Sequence, residues 1–250
     1  MRSVRFGQKQ LGIEWTTIPP ALYDGRRSYC DESLGEDLFI NLLKNPLVNG
    51  VHPDPGVVEI PSSVLKGWNE VVEFYSLVMR RARRHSCRQE SPHTTGGGGH
   101  IHISTRRWPE ESEVVDDKTN ALQAYVTDRP WISWAFNDPS DNITAVVGNS
   151  GNWYDRQPAI RDSYDNVEFR FFDSAENINE QIEHVAFALK LLSVRAPVRD
   201  ARSRAPRMSL TQALKGWETT IQEFGLPWNL YRRYSKNIRT RFEFGPRYLN

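Results

Sequence analysis

The chain has 250 residues, 25% of them charged and 38% hydrophobic, and its 32 basic and 31 acidic side chains leave a net charge of +1. That balance is not that of a disordered chain, and no apolar run approaches the roughly 18 residues a membrane-spanning helix needs. With only Cys30 and Cys87 there is no disulfide framework and no cysteine zinc motif, so any metal must be held by nitrogen and oxygen ligands.

The first strand is expected over Leu11 to Ile18, closed by Pro19-Pro20 and followed by a Gly-, Asp- and Arg-rich loop to about residue 36. A short strand, Val57 to Ile60, should lead straight into a helix from Val64 to about Arg84, because Val64, Trp68, Val71, Tyr75, Val78 and Ala82 recur every three or four residues. Its basic last turn suits the helix dipole. The polar, glycine-rich segment from Gln89 to Gly99 then feeds an alternating strand, His100 to Ser104.

A helix is expected around Lys118 to Val126. The aromatic run from Trp131 to Phe136 fits no one state, and its Trp131 and Trp134, like Trp108, are read as core before stacking surfaces. A weak strand signal at Ile143 to Val147 precedes a strong one at Asn166 to Phe172. Asp173-Ser174 reads as the cap of a long helix with an apolar stripe through Ile178, Ile182, Val185, Leu189 and Leu192. A third helix spans Leu210 to Phe224, beyond an Arg/Pro/Ala linker from Pro197 to Pro206. The expected fold class is α+β, with one domain over 1–197 and a helical C-terminal extension over 198–250.

Strand side chains alternate between faces, and four strands split sharply. Glu14 opposes Ile13 and Trp15, and Glu59 opposes Val58 and Ile60. His100, His102 and Ser104 oppose Ile101 and Ile103, while Glu168 and Arg170 oppose Val167, Phe169 and Phe171. Many antiparallel sheets merely wet their polar face, but carboxylate or imidazole on every strand is an unusual choice for a solvent face. The inventory suits a hard cation, Mg²⁺ or Mn²⁺, with an arginine left for phosphate. A His-x-His pair by itself is equally typical of zinc hydrolases.

At these residues the chain resembles the amidoligases of the glutamine synthetase-like superfamily, which also includes glutamate-cysteine ligases. The elements follow the family's order: Gly12-Ile13-Glu14, Glu59-Ile60-Pro61-Ser62, Gly98-Gly99-His100-Ile101-His102 and Val167-Glu168-Phe169-Arg170. The resemblance implies a mostly antiparallel curved sheet of the glutamine synthetase catalytic-domain type, with helices on its apolar face. It implies Glu14, Glu59, His100 and Glu168 as metal ligands, His102 near the nucleotide phosphates, and Arg170 at the transferring phosphoryl group. Arg161 is a further phosphate candidate, and Asp54 matches an acidic position of unassigned role.

The implied activity is ATP-dependent carboxylate–amine ligation through an acyl phosphate, with ATP and Mg²⁺ or Mn²⁺ as cofactors. Its partners would be an acid and an amine, peptide or protein included; no membrane or nucleic acid is expected, and nothing in the sequence specifies a homo-oligomer interface. The opening residues lack the apolar stretch of a secretory signal, so the cytoplasm is the expected compartment, a host's if the chain is viral or from a phage. One departure matters: the family's Gly-x-Glu-x-Glu has Thr16 at its second glutamate. Either a metal site is weaker, Glu36 or Asp37 substitutes, or the fold outlived the activity. The rival readings are therefore a His/carboxylate metallohydrolase and a catalytically degenerate interaction protein.

Overall fold

The computed structural model describes residues 4–17, 37–54, 57–87, 99–105, 113–136, 159–163, 165–198 and 206–244. Six strands form one sheet: β1 (Lys9–Thr17), β2 (His52–Asp54), β3 (Val57–Pro61), β4 (Ile101–Thr105), β5 (Ile160–Ser163) and β6 (Asn166–Phe169). Their order is β2-β3-β1-β4-β6-β5, and each neighbouring pair is antiparallel. The fold is α+β.

Alternation along these strands sends Leu11, Ile13, Trp15, Val58, Ile60, Ile101, Ile103, Val167 and Phe169 to one face, where all are buried. Helices α1 (Trp68–Arg84), α2 (Glu113–Thr127) and α4 (Ile178–Leu192) contribute their apolar stripes to the same core. The six-residue α3 (Trp131–Phe136) lies between α2 and β5 in the chain and ends in Phe136. The Phe136 ring meets Phe171, Phe172, Phe187, Trp217 and Tyr234 at centroid distances of 4.6–6.0 Å. Trp217 belongs to α5 (Leu210–Glu223) and Tyr234 to α6 (Trp228–Phe244), so this ring cluster ties the C-terminal helix pair to the sheet's core. No helix among the described residues is long and apolar enough to cross a membrane.

Three local expectations need correction. The helix after β3 starts at Trp68, not Val64, because Leu65 forms a β-bridge with Leu11, with backbone bonds of 2.7 and 3.1 Å, while Val64 is exposed. Helix α4 is capped by Asn177, whose side chain accepts from the Asn179 and Glu180 amides. Ser174, expected in the cap, is instead bonded to Thr16. Regular strand structure in β6 ends at Phe169, three residues short of the expected Phe172.

Strands β2 and β5 and the helical state of Trp131–Phe136 carried too little periodicity to be read from sequence. Trp131 is half-buried and Trp134 buried, as expected of core aromatics. The glycine run before Gly99, Trp108, the Ile143–Val147 segment, Glu36 and most of the 197–206 linker lie outside the described residues.

Candidate active site

Register puts the polar side chains on one shared face. Gly12 pairs with His102, His102 with Glu168, and Glu168 with Arg161, in a row running across β1, β4, β6 and β5. One step along, the Glu14 amide donates to the His100 carbonyl at 2.9 Å, which aligns Glu14 with His100. Thr16 pairs with Glu59, and Glu59 with His52, on the other side of β1 within the same face. The face predicted from alternation in four separate strands is thus one continuous surface.

The end of β1 that carries Glu14 is held from below. The Ser62 hydroxyl accepts from the Ile13 amide at 2.9 Å and the Ser62 amide donates to the Ile13 carbonyl at 2.8 Å, so the serine of Glu-x-x-Ser acts as a strap. Gly99 leads into His100 with its amide bonded to the Phe172 carbonyl at 2.8 Å, and a Cβ there would lie 2.6 Å from the Asp173 carbonyl oxygen. Only glycine allows that approach.

Glu14 joins the two imidazoles: Oε2 accepts from His100 Nδ1 and Oε1 from His102 Nε2, each at 2.7 Å. His102 Nδ1 lies 3.0 Å from Asn166 Oδ1. Glu168 is fully buried, with Arg161 donating from Nε to Oε2. Its Oε1 lies 3.3 Å from His100 Nδ1 and 3.7 Å from Arg170 Nε, too long or misaligned for a hydrogen bond. Among the described residues neither Glu168 Oε1 nor Arg170 Nη1 has a hydrogen-bond partner, although both are buried. Such atoms are costly unless something completes them.

The electrostatics agree with that geometry. Burial pushes the Glu14 carboxyl upward, but hydrogen bonds and charge from His100 and His102 outweigh it and hold the group well below the usual carboxylate range. For His102, burial favours the neutral ring, yet the bond and charge of Glu14, then Glu168 and Asn166, raise it overall. Burial lowers the Arg170 guanidinium against the pull of Glu168, with Glu14 and Glu59 also contributing.

One oxygen or nitrogen each from Glu14, His102 and Glu168 come within 4.8 Å of one another, a donor set of two carboxylates and one imidazole. That set and the unfulfilled Glu168 Oε1 fit a divalent cation. His100 stands against both carboxylates. Glu59 shares the face and its charge reaches Arg170, but it is outside the three-residue group. Asp37 is exposed and belongs to a helical turn, not to a strand, and the side chain of Asp54 lies outside the described residues. Thr16 is buried with its hydroxyl 2.6 Å from that of Ser174.

No protein-family model matches the chain. No curated protein matches it in sequence either. Solved structures do. Ligand-free GmaS superposes with a TM-score of 0.60 at 14% identity, over 94% of this chain and 69% of GmaS. GmaS in complex with ADP gives 0.58 at 14%, over 95% and 70%. A glutamine synthase homolog gives 0.51 at 16%, over 98% and 69%. The chain has the glutamine synthetase-like fold.

Within that glutamine synthetase-like sheet, sequence reading missed two contributors. Asn166 lies two residues before Glu168, so the alternation that singled out Glu168 and Arg170 also reaches it. The Thr16–Ser174 pair spans 158 residues of sequence, and no local pattern signals it.

Proposed function

We propose that this chain is an ATP-dependent carboxylate–amine ligase. The observation that carries the reading is the convergence of Glu14, His102 and Glu168, flanked by His100, Arg161 and Arg170, on the open face of a glutamine synthetase-like sheet. The ADP complex of the structural neighbour GmaS supports a nucleotide as the co-substrate. Glu14, Glu168 and His102 would hold Mg²⁺ or Mn²⁺, with His100 closing the site and Glu59 the outlying candidate. The cation's contribution there is to neutralise phosphate charge.

The remaining work falls to the side chains. A carboxylate substrate takes the γ-phosphoryl group of ATP, releasing ADP. The amine then attacks the acyl phosphate carbon and expels phosphate, leaving the amide. Arg170, half-buried and with a buried Nη1 free of protein partners among the described residues, would meet phosphoryl oxygens through a fixed fork of donors. Arg161 is already engaged by Glu168 through Nε, so its first task is to orient that carboxylate, and phosphate contact falls to its terminal nitrogens. The chain would act on acids and amines in the cytoplasm.

Calorimetric titration with a non-hydrolysable ATP analogue, with and without Mg²⁺, tests this directly. Metal-dependent binding in the wild type that disappears in Glu14→Ala and Glu168→Ala is the expected result. Absence of nucleotide binding under both conditions overturns it.

One observation favours a second reading. Thr16, where the resembling family has a glutamate, is buried and committed to Ser174, so that position offers the site no carboxylate. A ligase-fold protein that binds nucleotide and metal without turning over would fit, and binding without ADP release from any acid–amine pair would distinguish it.

A further inference from the structure

We propose that Asn166 is a positioning residue that orients His102 so that Nε2, and not Nδ1, faces the carboxylates as a cation ligand. The proposal rests on the metal reading above. It starts from β6, where Asn166 and Glu168 share the site face while Val167 and Phe169 enter the core. The half-buried Asn166 sets its side-chain oxygen 3.0 Å from His102 Nδ1.

Which end of the amide faces the ring is decided by its other neighbour. Asn166 Nδ2 donates to Asp165 Oδ1 at 3.4 Å, and a reversed amide would press its oxygen against that carboxylate. Oδ1 therefore faces His102, and an amide oxygen only accepts. Nδ1 must carry its hydrogen toward Asn166.

The opposite ring nitrogen, Nε2, is left to the other side, 2.7 Å from Glu14 Oε1. When a cation takes the Nε2 lone pair in place of the hydrogen bond to Glu14, the Nδ1–H bond to Asn166 persists, so the ring need not turn. A partner on the far nitrogen both fixes the ring and raises its basicity as a ligand, and losing such a partner typically lowers metal affinity about 10–100-fold.

Two variants and two measurements test this on the full chain. Nuclear magnetic resonance of the metal-free wild type near pH 6 should show a His102 Nδ1 proton protected from exchange with water, and Asn166→Ala should abolish the protection. Mn²⁺ titration should show affinity falling about tenfold or more in Asn166→Ala and returning largely to wild type in Asn166→Asp, which restores an acceptor at the same point. An unprotected Nδ1 proton in the wild type overturns the proposal. So does wild-type Mn²⁺ affinity in Asn166→Ala, or an equal loss in Asn166→Asp. A protected proton in a wild-type chain that binds no Mn²⁺ supports the orientation and overturns the metal reading instead.

Discussion

His184 should make this protein acid-sensitive. The ring is buried in α4, stacked on Phe172 at 5.0 Å, edge-on to Phe136 at 5.4 Å and beside Tyr234, and its Nε2 has no partner among the described residues. Burial, reinforced by the charge of Arg233, pushes its pKa from 6.5 down to about 3. The folded state then holds fewer protons than the unfolded chain, so stability is complete above pH 6.5 and declines as pH falls toward 3. Each pH unit in that window withdraws about 1.4 kcal/mol, so roughly 2 kcal/mol is gone by pH 5. For a chain of this size that is roughly 4–8 °C in Tm.

The neighbouring Glu183 works in the opposite sense, because burial raises its carboxyl against the pull of Arg233 and Tyr234. The comparison therefore needs a variant. His184→Phe keeps a ring in the aromatic cage and removes the proton site, so thermal denaturation at pH 7.5 and 5.0 should show a markedly smaller acid loss in the variant than in the wild type. Equal losses in the two proteins would refute the reasoning.

The remaining predictions concern the site and its supports. Mn²⁺ affinity should rise with pH through and above 6.5, up to about tenfold per unit, because a cation must displace the Nε2 proton of a His102 whose pKa is raised; a flat pH profile counts against His102 as a ligand. Gly99→Ala should cost about 1–3 kcal/mol in urea unfolding and weaken metal binding, since its Cβ would meet the Asp173 carbonyl oxygen at 2.6 Å just before His100. Asn177→Ala should cost about 1 kcal/mol through the α4 cap. Thr16→Val should cost a similar amount by removing the hydroxyl partner of the buried Ser174, which then keeps only the Thr16 amide, and an unchanged urea midpoint would mean the hydroxyl pair contributes nothing.

Alternation of residue type along short strands makes the site face legible in the sequence. Glu14, His100, His102, Glu168 and Arg170 each oppose aliphatic or aromatic neighbours, and the period of two in a strand turns that spacing into direction. The apolar stripes of α1 and α4 are legible for the same reason at a period of 3.6. Their starts are not, because caps and bridges depend on partners: Leu65 leaves the helical stripe to pair with Leu11, and Ser174 leaves the cap to serve Thr16.

What the sequence by itself determined is therefore which residues leave the core on each strand, since that depends only on local geometry and the cost of burying charge. Tertiary structure decided which of them meet. Antiparallel register alone aligns His102 with Glu168 and Glu168 with Arg161, across dozens of residues in one case and seven in the other. It also brought Asn166 to His102 and kept Glu59 outside the three-residue group, because strand order and stagger are set by packing over the whole sheet.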